Sequence, residues 1–244
     1  MKQRNLVIQS NRPLTDNVYE LKLSGVEGEE ILPGQFVNLN LEGHFLRRPI
    51  SVCDVQSDIL TLVYRAVGSG TNALSHYKEG GVLDTLIGLG NGYDLSKAGD
   101  APLLVGGGVG IPPLYYLAKT LRRTHDNVTV ILGFNTASEC FYEEEFNALG
   151  VTVIVTTADG SYGIPGFVTD ALPEHCSYYY ACGPLPMEKA LYRSLASSGE
   201  FSLEERMGCG FGACMGCSIP TASGTRRICK EGPVFAKEEL LWED

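Results

Sequence analysis

Positive charge is the first shortage in this chain: 19 Lys and Arg stand against 29 Asp and Glu, a formal net charge of −10 over 244 residues. A field of that sign repels nucleic acid and anionic lipid and argues against a bulk nucleic-acid role, although a local basic patch still holds an anion. Low-complexity tracts are missing too. At 44% hydrophobic and 20% charged, the composition is that of a globular protein. The basic opening MKQRNLVIQS lacks the apolar run of a secretory signal. The longest stretch without charge, 101–118, contains Pro102, Pro112, Pro113 and four glycines, so it reads as strand, glycine turn and helix, with no integral membrane segment expected. Without a signal, eight cysteines do not imply four disulfides, and a cytoplasmic setting is the expectation.

What is present falls into three segments, a multidomain β plus α/β chain. Residues 1–99 carry short runs that alternate or are wholly apolar: LVIQS (6–10), VYELKL (18–23), QFVNLNL (35–41) and ILTLVYRAV (59–67). Turn residues separate them, which favours a small antiparallel β-barrel; the one clear helix start is Gly70-Thr71. Residues 100–198 alternate strand and helix patterns, with strands at LLV, VTVILGF, VTVIVTT and YYYACG, and so read as a doubly wound parallel sheet. Residues 199–244 show little regular structure and too few apolar residues for a core of their own, so a metal centre is expected to organise them.

That last segment holds Cys209, Cys214, Cys217 and Cys229 in the spacing C-x4-C-x2-C-x11-C. Four thiolates hold either tetrahedral zinc or an iron–sulfur cluster. Zinc ribbons generally use two short cysteine pairs, and the second is missing here. The x4-x2 spacing matches a plant-type [2Fe–2S] loop, and Gly208, Gly210, Gly212 and Gly216 let backbone N–H groups approach the sulfurs.

Other motifs are weaker singly. Gly108-x-Gly110-x-x-Pro113 follows a strand and opens a helix, a place for a pyrophosphate or simply an architectural turn. It is not the GxGxxG fingerprint, and no acidic residue plainly takes the ribose position. Arg47-Arg48-Pro49-Ile50-Ser51 offers a diphosphate-binding guanidinium and a hydroxyl for a flavin nitrogen, or is a solvated turn. Gly68-Ser69-Gly70-Thr71 is a second phosphate candidate, with Thr71 as a plain helix cap the alternative. Cys182-Gly183-Pro184 ends a parallel strand, where ligands gather in open α/β sheets; alone, Cys182 reads as a buried apolar residue.

Taken in order, barrel, R-x-x-S, G-T, glycine–proline loop and C-G-P resemble the ferredoxin–NADP reductase superfamily. With ERMGCGFGACMGC the whole chain resembles the electron-transfer subunits of NAD-dependent, class 1B dihydroorotate dehydrogenases. The resemblance implies FAD held by Arg48, Pro49, Ile50 and Ser51, with Ser51 and Cys182 at the reacting centre. Val63, Tyr64 and Arg65 would line the flavin and its ribityl–phosphate arm, with Gly70 and Thr71 at the pyrophosphate. Gly106, Gly108, Gly110, Pro113, Cys182, Gly183 and Pro184 would form the NAD(H) side, and the four clustered cysteines would hold [2Fe–2S]. Ile50 stands where the superfamily often has a flavin-stacking aromatic, a departure shared with the dihydroorotate subgroup. The implied partner is an FMN-containing catalytic subunit, in an assembly of two catalytic and two electron-transfer chains serving pyrimidine biosynthesis. Two other readings stand beside this one: a reductase subunit serving ferredoxin or sulfide metabolism, and a zinc-stabilised nucleotide-binding module. The segment 133–139 has neither Arg nor Lys for a 2′-phosphate, which predicts NAD(H) over NADP(H).

Overall fold

The computed structural model describes residues 1–242. Strands β1 (Lys2–Pro13), β2 (Val18–Ser24), β3 (Phe36–Leu39), β4 (Arg48–Gln56), β5 (Ile59–Arg65) and β6 (Val82–Leu89) form a closed barrel in the order β1-β2-β5-β4-β3-β6. Alternation drives it: Leu6, Ile8, Leu21, Leu23, Leu60 and Leu62 are fully buried in one interior cluster. Each such side chain contributes about 1.5–3 kcal/mol by leaving water. Pairing of β1 with β6 closes the ring and removes its free edges. A short helix, α1 (Ser69–Leu74), adds Leu74 to the barrel core. Two of the strands, β4 and β6, lie outside the runs that alternation picks out. Pro49 makes the start of β4 look like a turn, and Gly88 interrupts β6.

The second layer is a seven-stranded sheet of β7 (Pro102–Gly107), β8 (Thr129–Phe134), β9 (Thr152–Thr157), β10 (Ile164–Pro165), β11 (Tyr178–Cys182), β12 (Gly199–Ser202) and β15 (Val234–Ala236). Its order is β10-β9-β8-β7-β11-β12-β15, parallel throughout except for the antiparallel pairing of β15 with β12. Helices α2 (Ile111–Leu121) and α3 (Glu143–Ala148) cover one face and α4 (Leu185–Ser194) the other. The run YYYAC in β11 serves both faces by its pleat: Tyr178 and Tyr180 pack with Leu114 and Leu117 of α2, while Tyr179 packs with Leu191 of α4.

The final segment is less separate than its composition suggests. Its β12 and β15 belong to the seven-stranded sheet, and only the hairpin of β13 (Ser218–Thr221) with β14 (Gly224–Arg227) stands apart. Asn91, just past the barrel, ties this segment down. Its N–H donates to the Gly232 carbonyl at 2.7 Å, its Nδ2 to the Glu231 and Val234 carbonyls at 3.2 and 2.8 Å, and its Oδ1 accepts from Val234 N at 3.0 Å. Barrel and sheet are joined by Lys119 Nζ to Asp54 at 2.7 Å and by the Tyr142 hydroxyl donating to Glu20 at 2.8 Å. Among the described residues no helix is long and apolar enough to cross a membrane.

Candidate electron-transfer site

Where barrel, sheet and tail meet, β4 and β5 bring Pro49, Ile50, Ser51, Val63, Tyr64 and Arg65 to one cavity of about 280 Å³. The tail closes it with Leu203, Glu204, Met207 and Pro233, and Phe36 and Val109 complete the wall. The Tyr64 ring itself lies in the barrel core, stacked on Tyr19 at 5.7 Å, with its hydroxyl donating to Asn11 Oδ1 at 3.0 Å. Arg48 and Gly70 meet directly: any Cβ at Gly70 would overlap the Arg48 guanidinium, so only glycine brings the start of α1 this close to that charge. Thr71 is the third residue of α1, not its N-cap, which is Gly68; its Oγ1 accepts from Val67 N and Gly68 N at 3.1 and 3.2 Å, reaching back from inside the first turn.

A second cavity, of about 450 Å³, opens at the C-terminal ends of β7 to β9. Gly108 and Pro184 line it, with Asn135, Glu139, Phe167 and Met187. The remaining glycine-loop residues lie behind it. Any Cβ on Gly106 would press on Ile111, and any on Gly110 would overlap the Cys182 carbonyl, so these two glycines let the loop and the C-G-P turn pack together. Pro113 is buried at the start of α2, and neither Cys182 nor Gly183 lines either cavity. Burial, reinforced by the Glu204 and Glu188 carboxyls, pushes the Cys182 thiol well above its ordinary value. It is therefore a neutral thiol, not a thiolate nucleophile.

The two cavities share Arg65 and adjoin at Gly108-Val109. Arg65 Nε is buried and finds no acceptor among the described residues. A partnerless cationic donor between two cavities calls for an anionic ligand, because leaving it unpaired costs about 1–3 kcal/mol or more. With the Arg48 guanidinium at Gly70 and an apolar wall between, this fits a flavin dinucleotide. In the second cavity Glu139 Oε2 accepts from Asn135 N at 3.3 Å and Nδ2 at 2.9 Å, and Thr156 Oγ1 is buried without a partner. Carboxylate and hydroxyl together suit a ribose.

The four cysteines come together as two pairs. Cys209 N and Cys214 Sγ are 3.4 Å apart, as are Cys214 N and Cys209 Sγ, while Cys229 N lies 3.4 Å from Cys217 Sγ. All are free thiols. Among the described residues no three His, Cys, Asp or Glu side chains converge as on a single metal ion. Two thiol pairs instead suit a binuclear centre taking two thiolates at each iron. Burial opposes ionisation of Cys209, but the N–H groups of Phe211, Cys214 and Ala213, with the Cys214 thiol, outweigh it and bring its pKa down to about 6. Burial and the neighbouring Cys217 push Cys229 up to about 12. Arg227 braces the loop by donating to the Gly212 carbonyl while paired with Glu231.

Sequence reasoning missed Phe36, Met207 and Pro233 in the first cavity and Asn135, Thr156 and Phe167 in the second. Only Asn135 carried a signal, its place just after the second strand of the sheet domain.

Residues 204–241 match the iron–sulfur cluster binding domain of dihydroorotate dehydrogenase B, and residues 104–193 match the oxidoreductase NAD-binding domain. The electron transfer subunit of dihydroorotate dehydrogenase B (NAD(+)) from Geobacillus sp. (strain WCH70) is 44% identical, covering 99% of both chains. The chain belongs to this family of electron-transfer subunits. The Bacillus velezensis member is 43% identical over 98% of this chain and 99% of its own. Among solved structures, an NADH-dependent reduced ferredoxin–NADP oxidoreductase superposes with a TM-score of 0.88 at 32% identity, covering 97% of this chain and 90% of that one. A ferredoxin NADP+ reductase from Neisseria gonorrhoeae, at 17% identity and TM-score 0.67, shares the fold. Within dihydroorotate dehydrogenase B electron-transfer subunits, then, the barrel is the FAD-binding part, the sheet binds NAD(H), and the cysteine loop is the iron–sulfur site.

Proposed function

We propose the following division of labour within a subunit that relays electrons through iron–sulfur and FAD groups to NAD+ in pyrimidine biosynthesis. Arg48, Gly70, Thr71 and Arg65 hold the FAD diphosphate, and Pro49, Ile50, Ser51 and Val63 bound its ring. Gly108 and Pro184 position the dinucleotide, with Gly106, Gly110, Pro113 and Gly183 packing the two loops that carry it. Cys209, Cys214, Cys217 and Cys229 ligate one [2Fe–2S] cluster. When bound, flavin exchanges electron pairs with nicotinamide and single electrons with the cluster.

The chain's own residues prepare that exchange. The Ser51 hydroxyl, on the cavity wall, donates to the flavin ring and steadies its reacting edge. Cys182, neutral and 2% exposed, supports the nicotinamide from behind the Gly110 turn and excludes water. The carboxylate of Glu139 accepts from ribose hydroxyls and repels a 2′-phosphate, favouring NAD(H) over NADP(H).

The functional segments are 1–99, 100–198 and 199–244, the third lending β12 and β15 to the sheet of the second. The partner is an FMN-containing catalytic subunit, two of each chain assembling in the cytoplasm. A ferredoxin-serving role is less well supported, since the ferredoxin-linked structure is 32% identical against 44% for the dihydroorotate relative. The observation that carries the reading is Arg65, partnerless and shared by both cavities beside a tail with two thiol pairs. Iron, acid-labile sulfide and extracted-flavin assays test it. One FAD and one [2Fe–2S] per chain is the expected content, and zinc without labile sulfide contradicts it.

A further inference from the structure

Strand β3 has two faces. Val37 and Leu39 point into the barrel core, while Phe36 and Asn38 point outward. Across the ladder Phe36 faces Ser51 and Asn38 faces Pro49; Phe36, Ser51 and Pro49 line the flavin cavity, and Asn38 continues their row. The same outward row meets the iron–sulfur segment. Phe36 packs in one apolar cluster with Cys217 and Cys229. Asn38, 1% exposed, donates from Nδ2 to the Cys209 carbonyl at 3.2 Å.

The fit at Asn38 is close. Any Cβ at Gly210 would overlap the Asn38 amide, and Gly210 has φ of +77°, so the loop between Cys209 and Cys214 is shaped to rest on this side chain. The backbone beneath is fixed as well. Arg47 Nη1 donates to the carbonyls of Asn38 and Asp84 at 3.4 and 2.9 Å, and its Nη2 pairs with Asp84 at 2.6 Å. Asn38 Oδ1 is buried with no partner among the described residues. The unpartnered Oδ1 carries a desolvation cost, which offsets what the Nδ2 bond to Cys209 contributes to stability.

We propose that Asn38 is a positioning residue for electron exchange between flavin and cluster, locking the Cys209 end of the cluster loop to the strand that walls the flavin. This inference rests on the functional reading above. Rapid electron passage needs the two groups at a fixed, short separation, and Asn38 is the side chain that bonds one wall to the other.

The test uses the full chain with both cofactors bound, reduced by NADH in a stopped-flow instrument that follows flavin and cluster absorbance separately. Asn38→Leu keeps the branched outline, with methyl groups in place of the polar atoms, and removes the donor. Its cluster reduction should slow about fivefold or more relative to its flavin reduction. The electron paramagnetic resonance signal of its reduced cluster should broaden or shift, while its melting temperature holds or rises. Asn38→Gln, which keeps a donor, should recover part of the rate. A Leu variant with wild-type rate ratio and resonance spectrum overturns the proposal. So does a slowed rate that Gln does not recover and that parallels a fall in melting temperature, because that is a merely structural role. A wild-type chain that binds no flavin or no cluster overturns the functional reading itself, and with it this inference.

Discussion

Arg65 is shared by the two cavities, and its buried Nε has no partner among the described residues. Arg48 and Ser51, three strand positions apart on β4, should separate binding from chemistry. Arg48→Ala removes a charged contact to the diphosphate and should raise the FAD dissociation constant about tenfold or more, read by flavin titration. Ser51→Ala should retain FAD yet slow flavin reduction by NADH about tenfold, read by stopped flow. Wild-type behaviour of either variant in its own assay contradicts the role assigned to it. Glu188 gives a prediction in pH. It is 2% exposed, its Oε1 has no partner, and burial raises its carboxyl well above the ordinary 4.5. The folded chain therefore binds a proton that the unfolded chain releases. That stabilisation is complete below the unfolded value and declines as pH rises toward the folded one. Glu188→Gln should melt higher than wild type in alkaline buffer, by roughly 2–4 °C for each kcal/mol relieved, with the gain shrinking toward acid. A gain independent of pH would show that proton uptake at Glu188 is not the cause.

At the scale of elements, the tail depends on contacts as well as on its cluster. Asn91→Ala removes the side-chain acceptor of Val234 N and both carbonyl contacts, so β15 should loosen from β12. Faster amide exchange across 231–236 and faster iron loss to a chelator are expected, and unchanged exchange would mean that the cluster alone holds the segment. Legibility in the sequence divides along the same lines. Strands β2, β5, β8 and β9 were readable because their apolar residues repeat or run together, as in VTVILGF. Strand β12 was not, because Gly-Glu-Phe-Ser offers a single apolar residue and its burial comes from neighbours β11 and β15. The cysteine loop was legible from spacing. The walls supplied by Phe36, Met207 and Pro233 were not, since they converge only once the tail folds back on the barrel. Asn38 is of the same kind: its partner Cys209 is 171 residues away.

For the whole molecule, geometry sets a sequence of sites. The nucleotide cavity adjoins the flavin cavity through Arg65 and the Gly108-Val109 turn, and the flavin wall joins the cysteine loop through β3. The buried pair Cys217 and Cys229 lies on the inner side of the loop, whereas Cys214, Phe211 and Met215 are exposed on its outer side. The described residues form a six-stranded barrel, a seven-stranded nucleotide sheet and a cluster segment with its own hairpin, and none of these is an eight-stranded (β/α)8 barrel. As a member of the dihydroorotate dehydrogenase B electron-transfer subunits, this chain relays electrons to NAD+, and on the proposed reading dihydroorotate oxidation is expected of the catalytic partner. The most direct test is reconstitution, with NADH formation followed after dihydroorotate and NAD+ are added to this chain alone, to the catalytic subunit alone, and to both. NADH should form only in the combined sample, while this chain alone still passes electrons from NADH to an artificial acceptor. Formation of NADH from dihydroorotate by either subunit alone, or none from the pair, would contradict the relay.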